Sequence, residues 1–383
     1  MLIFFLIVFT IYFGANTYIF FKGYALMSAG RSARLYSILF IFLASLFIAG
    51  RILERNHSGI LSDIMNIFGG FWLAYIFYSF LLYLVSDIGL VTGKATGIIP
   101  AEAVSIFKKW RFIGVNALTV IIIVAGFINA LTPVVKHYEI DVTKPLPGNG
   151  EMQIVAVSDI HLGSTIRKRS MKKLQGIIDS LKPDMVLLLG DIIDGEIGPV
   201  LRDDLLASFS CPPCGEGIYA ITGNHEYIGG IEQTANYISE RGIPLLMDET
   251  VITPSGITLI GRKDRDSFRY TGRERASLEE LTGDIDHTGL VILMDHQPLR
   301  LEESVAAGVD IHLSGHTHNG QIWPLSILIS RMFEIPYGYD KIGGTNFIVS
   351  SGYGLWGPRV RVGSRSEVVL LTLRQANSDQ RAS

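Results

Sequence analysis

A chain of 383 residues is long enough for about two units of ordinary domain size. It is 48% hydrophobic and only 18% charged, with a mean hydropathy of +0.35, where soluble proteins carry about 25% charged residues, so some segment must be strongly apolar. The net charge of −3 argues against a large basic footprint for nucleic acid, and two cysteines exclude a disulfide framework.

The apolar residues crowd into the first third. Residues 1–21, 35–50, 64–85 and 112–135 are almost free of charge. A helix needs about 20 such residues to cross the hydrocarbon, so the pattern predicts about four spans. The stretch 35–50 is the short one and relies on Arg34 and Arg51 reaching the interface. Met1 leads straight into apolar residues with no basic flank, which reads as a retained anchor rather than a cleaved signal. Lys22, Arg31 and Arg34 follow the first span, and Lys94, Lys108, Lys109 and Arg111 follow the third. The intervening loop has only Arg51 and Arg55, and Lys136 and Lys144 follow the last span. This bias predicts that the first and third loops are cytoplasmic and the C-terminal domain extracytoplasmic.

Two prolines and two glycines between Lys144 and Gly150 mark a linker. The expected division is a transmembrane anchor over residues 1–135, a linker over 136–150, a second domain over 151–375 and a disordered tail over 376–383. Beyond the linker, short apolar runs at 152–158, 184–189, 217–222, 289–294 and 309–313 read as buried strands. Amphipathic helices are expected between them at 167–181, 231–241 and 300–307, which makes an α/β core. Later strands at 345–350, 359–362 and 367–373 make the sheet mixed.

Polar clusters sit where the apolar runs end. Asp159 and His161 follow the first, Asp191 and Asp194 the second, and Asn224 and His225 the third; His296 follows the fourth, and His316 and His318 the fifth. Strand ends on one edge of an α/β sheet face a common crevice, so residues far apart in sequence converge there. Carboxylate with imidazole and no thiolate suits Mn, Zn or Fe. A lone histidine after a strand is more often a hydrogen-bonded turn residue than a ligand; five such clusters in order are not explained that way.

With these motifs the chain closely resembles the calcineurin-like metallophosphoesterase superfamily over residues 153–373. Within it, the run from Gly315 to Gln321 and the Ser350-to-Gly354 stretch before Pro358 are similar to the membrane-associated bacterial branch. The resemblance implies an α-helical membrane domain followed by an αββα sandwich with mixed sheets and a dinuclear site. By motif, Asp159, His161, Asp191 and His318 would hold one divalent ion. Asp191 would bridge, and Asn224, His296 and His316 would complete the second site. His225 would protonate the leaving oxygen, with Asp194 orienting it and raising its pKa. Two such ions would acidify a water between them and neutralise charge on the phosphoryl oxygens.

Other residues keep alternatives open. Asp295 either tunes His296 or faces solvent. Arg262, Lys263, Arg265 and Arg269 form a basic stretch that contacts substrate phosphate or is solvated. Cys211 and Cys214 form a local disulfide, remain free thiols or make half a zinc site. His57, His137 and His287 read as solvated, and His312 as a core hydrogen-bonding group. The apolar stretch 322–336 reads as a lid or membrane-dipping segment, or as ordinary core. The expected function is hydrolysis of a phosphate ester or pyrophosphate of a lipid-linked or envelope compound at the cell membrane. The bilayer and a phosphorylated lipid or small molecule are the expected partners, and nucleic acid is not. The competing readings are a catalytically silent signalling module, which should lack a ligand, and a transporter, which should carry ionisable residues in its spans. A UDP-sugar-lipid pyrophosphatase becomes the reading if the domain is cytoplasmic.

Overall fold

The structure, a computed structural model, describes residues 2–100 and 103–376. Apart from Ala376, the expected C-terminal tail lies outside these residues. The chain forms two compact units, Met1–Ile128 with Gly357–Val360, and Asn129–Trp356 with Arg361–Ser383.

The first unit is helical: α1 (Leu2–Tyr24), α2 (Arg31–Asn56), α3 (Ile60–Ala95) and α4 (Ala103–Ala130, ending in the second unit). All four are long and apolar enough to cross a membrane. The expected short span lies inside α2, whose 26 residues give about 39 Å of helix, ample for a hydrocarbon core of about 30 Å. Helices in lipid gain little from apolar burial, so close approach and polar pairing hold them together. Gly69 supplies the approach: a Cβ there would lie 2.5 Å from Phe47 Cα on α2. Polar pairs supply the rest. Trp72 Nε1 donates to Asn16 Oδ1 at 3.0 Å, and Ser79 Oγ to Thr119 Oγ1 at 3.2 Å.

The second unit runs β1 (Val134–Val142), β2 (Glu151–Val157), α5 (Lys168–Leu181), β3 (Met185–Leu189), α6 (Gly198–Asp203), β4 (Gly217–Ile221), α7 (Asn224–Gly229) and α8 (Ile231–Glu240). It continues through β5 (Leu245–Leu246), β6 (Glu249–Ile252), β7 (Thr258–Gly261), α9 (Ser267–Thr271), α10 (Leu278–Thr282), β8 (Val291–Met294) and α11 (Leu301–Ala306). The last elements are β9 (Ile311–Ser314), α12 (Leu325–Met332), β10 (Gly338–Ile342), β11 (Thr345–Val349) and β12 (Glu367–Gln375). They make two six-stranded mixed sheets, ordered β1-β12-β2-β3-β4-β5 and β10-β11-β9-β8-β7-β6.

The period-2 alternation of side chains builds the layers. On β2 and β3, Ile154, Ala156, Met185 and Leu187 point inward and meet Leu259, Ile292 and Ile311 of the other sheet. The alternate residues Val155, Val157, Val186 and Leu188 point outward and pack on Met171, Leu174 and Ile178 of α5 and Ile238 of α8. Leu278 of α10 covers Ile260 and Leu293 on the far face, and Leu301 of α11 covers Phe347 and Val349. The result is helix, sheet, sheet, helix, as the sequence implies.

Two local expectations are corrected. Residues 134–142, mostly inside the expected linker, form β1, which pairs in parallel with β12. Only alternate positions of β1, Ile140 and Val142, are buried, so it lacks the apolar run that marked the other strands. Residues 359–362 form no strand; Val362 makes only an isolated bridge to Ile322.

Candidate metal centre

The parallel strands β2, β3 and β4 of one sheet and β8 and β9 of the other each release the chain into a tight turn, and the polar clusters lie on those turns. Five of the residues sit in the left-handed region: Asp159 (φ +52°), His161 (+52°), Asp191 (+50°), His316 (+69°) and His318 (+48°). Such backbone costs about 1–3 kcal/mol per residue and persists only where surroundings hold it. Gly315 is part of that hold, because a Cβ there would lie 1.6 Å from Ser158 Oγ and 2.5 Å from Asp159 Oδ2.

The turns bring all nine sequence-predicted residues together. Asp159, His161 and His318 offer ligand atoms within 4.8 Å of one another, as do Asp191, His296 and His316, and His161, Asp191 and His225. Asp159 Oδ1 lies 3.3 Å from His318 Nε2 and 3.9 Å from His161 Nε2. Asp191 Oδ2 lies 3.2 Å from His296 Nε2 and 3.9 Å from His161 Nε2, between the two groups. Asn224 Oδ1 is 3.1 Å from His316 Nδ1. Asp194 Oδ1 is 3.4 Å from His161 Nδ1 and equally 3.4 Å from His225 Nδ1, so one carboxylate faces both rings.

These residues fit a pair of cations. His296 Nδ1 lies 2.7 Å from the Leu189 carbonyl. A carbonyl only accepts, so Nδ1 carries the proton and Nε2 presents its lone pair. That buried Nε2 makes no hydrogen bond and points at Asp191 and Asp159. A lone pair aimed at two carboxylates is repulsive unless a positive charge lies between them. His161 Nε2 and His318 Nε2 lie within hydrogen-bond distance of each other, at 3.1 Å. Without an ion, protons must take that place. Burial opposes charge on His296, yet the neighbouring Asp191 and Asp159 hold its pKa well above the ordinary range. Burial likewise opposes ionisation of Asp191, and His296 and His225 hold it well below the usual carboxylate range. The donor set is oxygen and imidazole nitrogen, the set that suits Mn, Zn or Fe.

His225 departs from expectation. Burial lowers its pKa, and the attraction of Asp191 and Asp194 does not reverse this, so the resting imidazole is neutral at pH 7 rather than cationic. Asp295 is buried and turns to arginines: its carboxylate meets Arg275 at 3.0 Å, Arg262 at 3.4 Å and Arg265 at 3.8 Å. This accounts for Asp295 and for Arg262 and Arg265, and Lys263 pairs with Asp248 at 3.3 Å. His137 is not a loop residue but lies on β1, 2.8 Å from Thr372 Oγ1. His312 is buried between Ser304 Oγ at 2.8 Å and Ser314 Oγ at 3.0 Å. Cys211 and Cys214 are joined by a disulfide.

Two positioning residues escaped the sequence reading. Glu226 is fully buried and accepts from the backbone N–H groups of Asp191 at 3.0 Å, Ile193 at 2.9 Å and Gly223 at 2.7 Å. Burial, aided by Asp191, pushes its pKa up to about 7. It staples the turn after β3 to the turn after β4. Its signal was its place directly after Asn224 and His225. Arg361 is also fully buried; its Nη2 donates to the carbonyls of Ser351, Gly352 and Gly354 at 2.7–3.0 Å and lies 3.4 Å from His318 Nδ1. A single arginine between two valines gave no local sign of this. Beside the centre, α12 has no buried residue and exposes Leu325, Ile327, Leu328 and Met332, with Trp323 before it. The Phe333 ring that follows lies 6.1 Å from the His316 ring.

The family profile of the calcineurin-like phosphoesterases matches residues 152–320, which contain every residue named in the centre except Arg361. An uncharacterised metallophosphoesterase of Aquifex aeolicus is 32% identical over 63% of this chain and 91% of its own length. A Bos taurus transmembrane protein with a metallophosphoesterase domain is 32% identical over 68% of this chain and 61% of its own, so the chain spans only part of that relative. A dimetal phosphatase from Danio rerio overlaps 59% of this chain and 93% of its own at 14% identity and a TM-score of 0.37, a likeness too slight to carry weight. The strand-end cluster, the family profile and the relatives agree: the chain belongs to the calcineurin-like metallophosphoesterases, as a membrane protein and a metal-dependent phosphoric ester hydrolase.

Proposed function

We propose that this protein is a multi-pass membrane enzyme whose extracytoplasmic catalytic domain uses two divalent ions to hydrolyse a phosphate ester or pyrophosphate of a lipid-linked or envelope compound. The two-ion reading is carried by Asp191 Oδ2, one oxygen set 3.2 Å from His296 Nε2 and 3.9 Å from His161 Nε2. In this reading Asp159, His161, Asp191 and His318 would hold one ion, and Asn224, His296 and His316 would hold the other together with Asp191. When bound, the ions supply an acidified water and neutralise phosphoryl charge. The other steps fall to side chains. His225, its side chain 12% exposed, offers a proton to the leaving oxygen, and Asp194 orients the ring. Its resting neutrality is compatible with that role, because an arriving phosphoryl anion favours the imidazolium. Glu226 and Arg361 keep the turns in place. In this reading residues 1–135 are the anchor and 151–375 the catalytic domain.

A lipid-linked substrate is supported by the exposed apolar surface of α12 close to His316 and by the helices of membrane length. The test is to incubate the purified, manganese-loaded chain with membrane lipid extracts. Release of phosphate-containing products from the lipid fraction, with water-soluble esters turned over at least tenfold more slowly, is the expected result. Turnover confined to water-soluble esters would overturn the lipid assignment while leaving hydrolysis intact.

The outward orientation is supported by the Lys and Arg bias and by the Cys211–Cys214 disulfide, which suits an oxidising compartment. Alkaline phosphatase fused after Ser383 should be active, and green fluorescent protein fused there dark. The reverse pattern would place the domain in the cytoplasm.

A further inference from the structure

The helical unit contains a second charged site. A cavity of ≈ 310 Å³ lies where the C-terminal end of α3 meets the N-terminal end of α4, and its lining includes Asp87, Val91, Lys94, Phe107, Lys108 and Arg111. Asp87 is fully engaged: Lys22 Nζ and Tyr18 Oη donate to one oxygen, and Arg111 Nη1 donates to the other at 2.5 Å. This cluster ties α1, α3 and α4 together at one end of the bundle. Lys22, Asp87 and Arg111 all lie just beyond the expected spans 1–21, 64–85 and 112–135, where a headgroup can reach them. One carboxylate answers Lys22 and Arg111, which leaves positive charge in excess before the lysines are considered. Lys94 and Lys108 are exposed and make no ion pair among the described residues. The rest of the wall is apolar, with Val91 68% and Phe107 54% exposed.

Cations beside exposed apolar side chains match an amphiphile with a negative head. Inorganic phosphate would satisfy the lysines and leave Val91 and Phe107 against water. An acyl chain would cover them. The same end of the bundle carries Lys22, Lys94, Lys108, Lys109 and Arg111, the distribution that faces an anionic leaflet. We propose that this cavity binds the phosphate headgroup of an anionic phospholipid, with its chains along Val91 and Phe107. Its lining shares no residue with the metal centre, and its assignment does not rest on the substrate proposed above.

The experiment uses the full chain in nanodiscs of equal phosphatidylglycerol and phosphatidylcholine, with retained lipid counted by native mass spectrometry. The wild type should retain phosphatidylglycerol about tenfold over phosphatidylcholine. Lys94→Gln/Lys108→Gln should lose that preference, Lys94→Arg/Lys108→Arg should keep it, and Lys109→Gln, exposed and off the cavity wall, should keep it. Equal retention of both lipids by the wild type would overturn the site. So would an unchanged preference in the double glutamine variant. Displacement of the lipid by millimolar inorganic phosphate would show a free-anion site instead and overturn the lipid assignment.

Discussion

In the helical unit Asp87 receives Lys22, Arg111 and Tyr18, and Asn116 is shared by Tyr75 and Tyr83. At the strand ends of the catalytic unit, Asp191 and Asp159 instead turn carboxylate oxygens toward the unpartnered Nε2 of His296. The first arrangement meets every acceptor with a donor already in the chain. The second gathers acceptors, on strained backbone, that only added positive charge can reconcile. Buried polarity of the first kind holds a shape, whereas that of the second kind is suited to receive positive charge. Removal of a polar group should therefore cost stability in the first unit and metal-dependent activity in the second.

The sharpest break is Asp191→Ala. Its carboxylate faces both ligand groups, so its loss should lower manganese-dependent hydrolysis of bis-p-nitrophenyl phosphate by about a thousandfold or more and reduce bound metal. Undiminished turnover would remove the centre from catalysis. His225→Ala tests a narrower point of the proposal, in which His225 is an acid rather than a ligand. Metal content should be unchanged while turnover of alkyl esters falls about a hundredfold or more, and nitrophenyl esters, which need little protonation, lose less. Equal losses for the two ester types would take His225 out of the proton-transfer role.

The contrast was only partly legible in the sequence. The apolar runs of the helical unit exceed any soluble pattern, so four helices could be counted directly. The strands buried on both faces, such as Met185–Leu189, announced themselves as unbroken apolar runs. Alternating β1 did not, and neither did two-residue β5 or the four-residue hairpin strand β6, because edge strands need little apolar character. The turn residues of the centre were readable because they stand next to apolar runs with glycine or proline beside them. Arg361 was not, since its partners are backbone carbonyls of a loop and carry no residue-type signature. The pKa of His225 moves opposite to the expectation because pairing with Asp194 is visible in a motif and burial is not.

A smaller effect separates packing from catalysis within the second unit. His312 is buried, and burial lowers its pKa to about 4. A histidine whose folded pKa lies below its unfolded value of about 6.5 favours the fold in its neutral form. Its contribution is complete above pH 6.5 and is lost as pH falls toward 4, by up to about 3 kcal/mol. Urea unfolding in chelator, so that metal release does not enter, should show this loss in the wild type and less of it in His312→Gln. Parallel pH profiles for the two chains would mean that His312 titrates normally.

The smallest effect belongs to Asn116→Leu in the helical unit. Asn116 Nδ2 donates to Tyr83 Oη at 3.0 Å and to the Phe112 carbonyl at 2.7 Å, and its Oδ1 accepts from Tyr75 Oη. The substitution strips two tyrosines of a shared partner without creating a bare charge. Unfolded helices in a membrane also find partners for their polar groups, so the net loss should be only about 0.6–2 kcal/mol. Detergent-induced unfolding followed by circular dichroism reads that shift. Hydrolysis and metal content should stay within about twofold of the wild type, because no group at the strand ends has lost a partner. A loss of turnover approaching that of Asp191→Ala would mean that the helical unit's polar pairs do more than hold shape, and the distinction between the two kinds of buried polarity would fail.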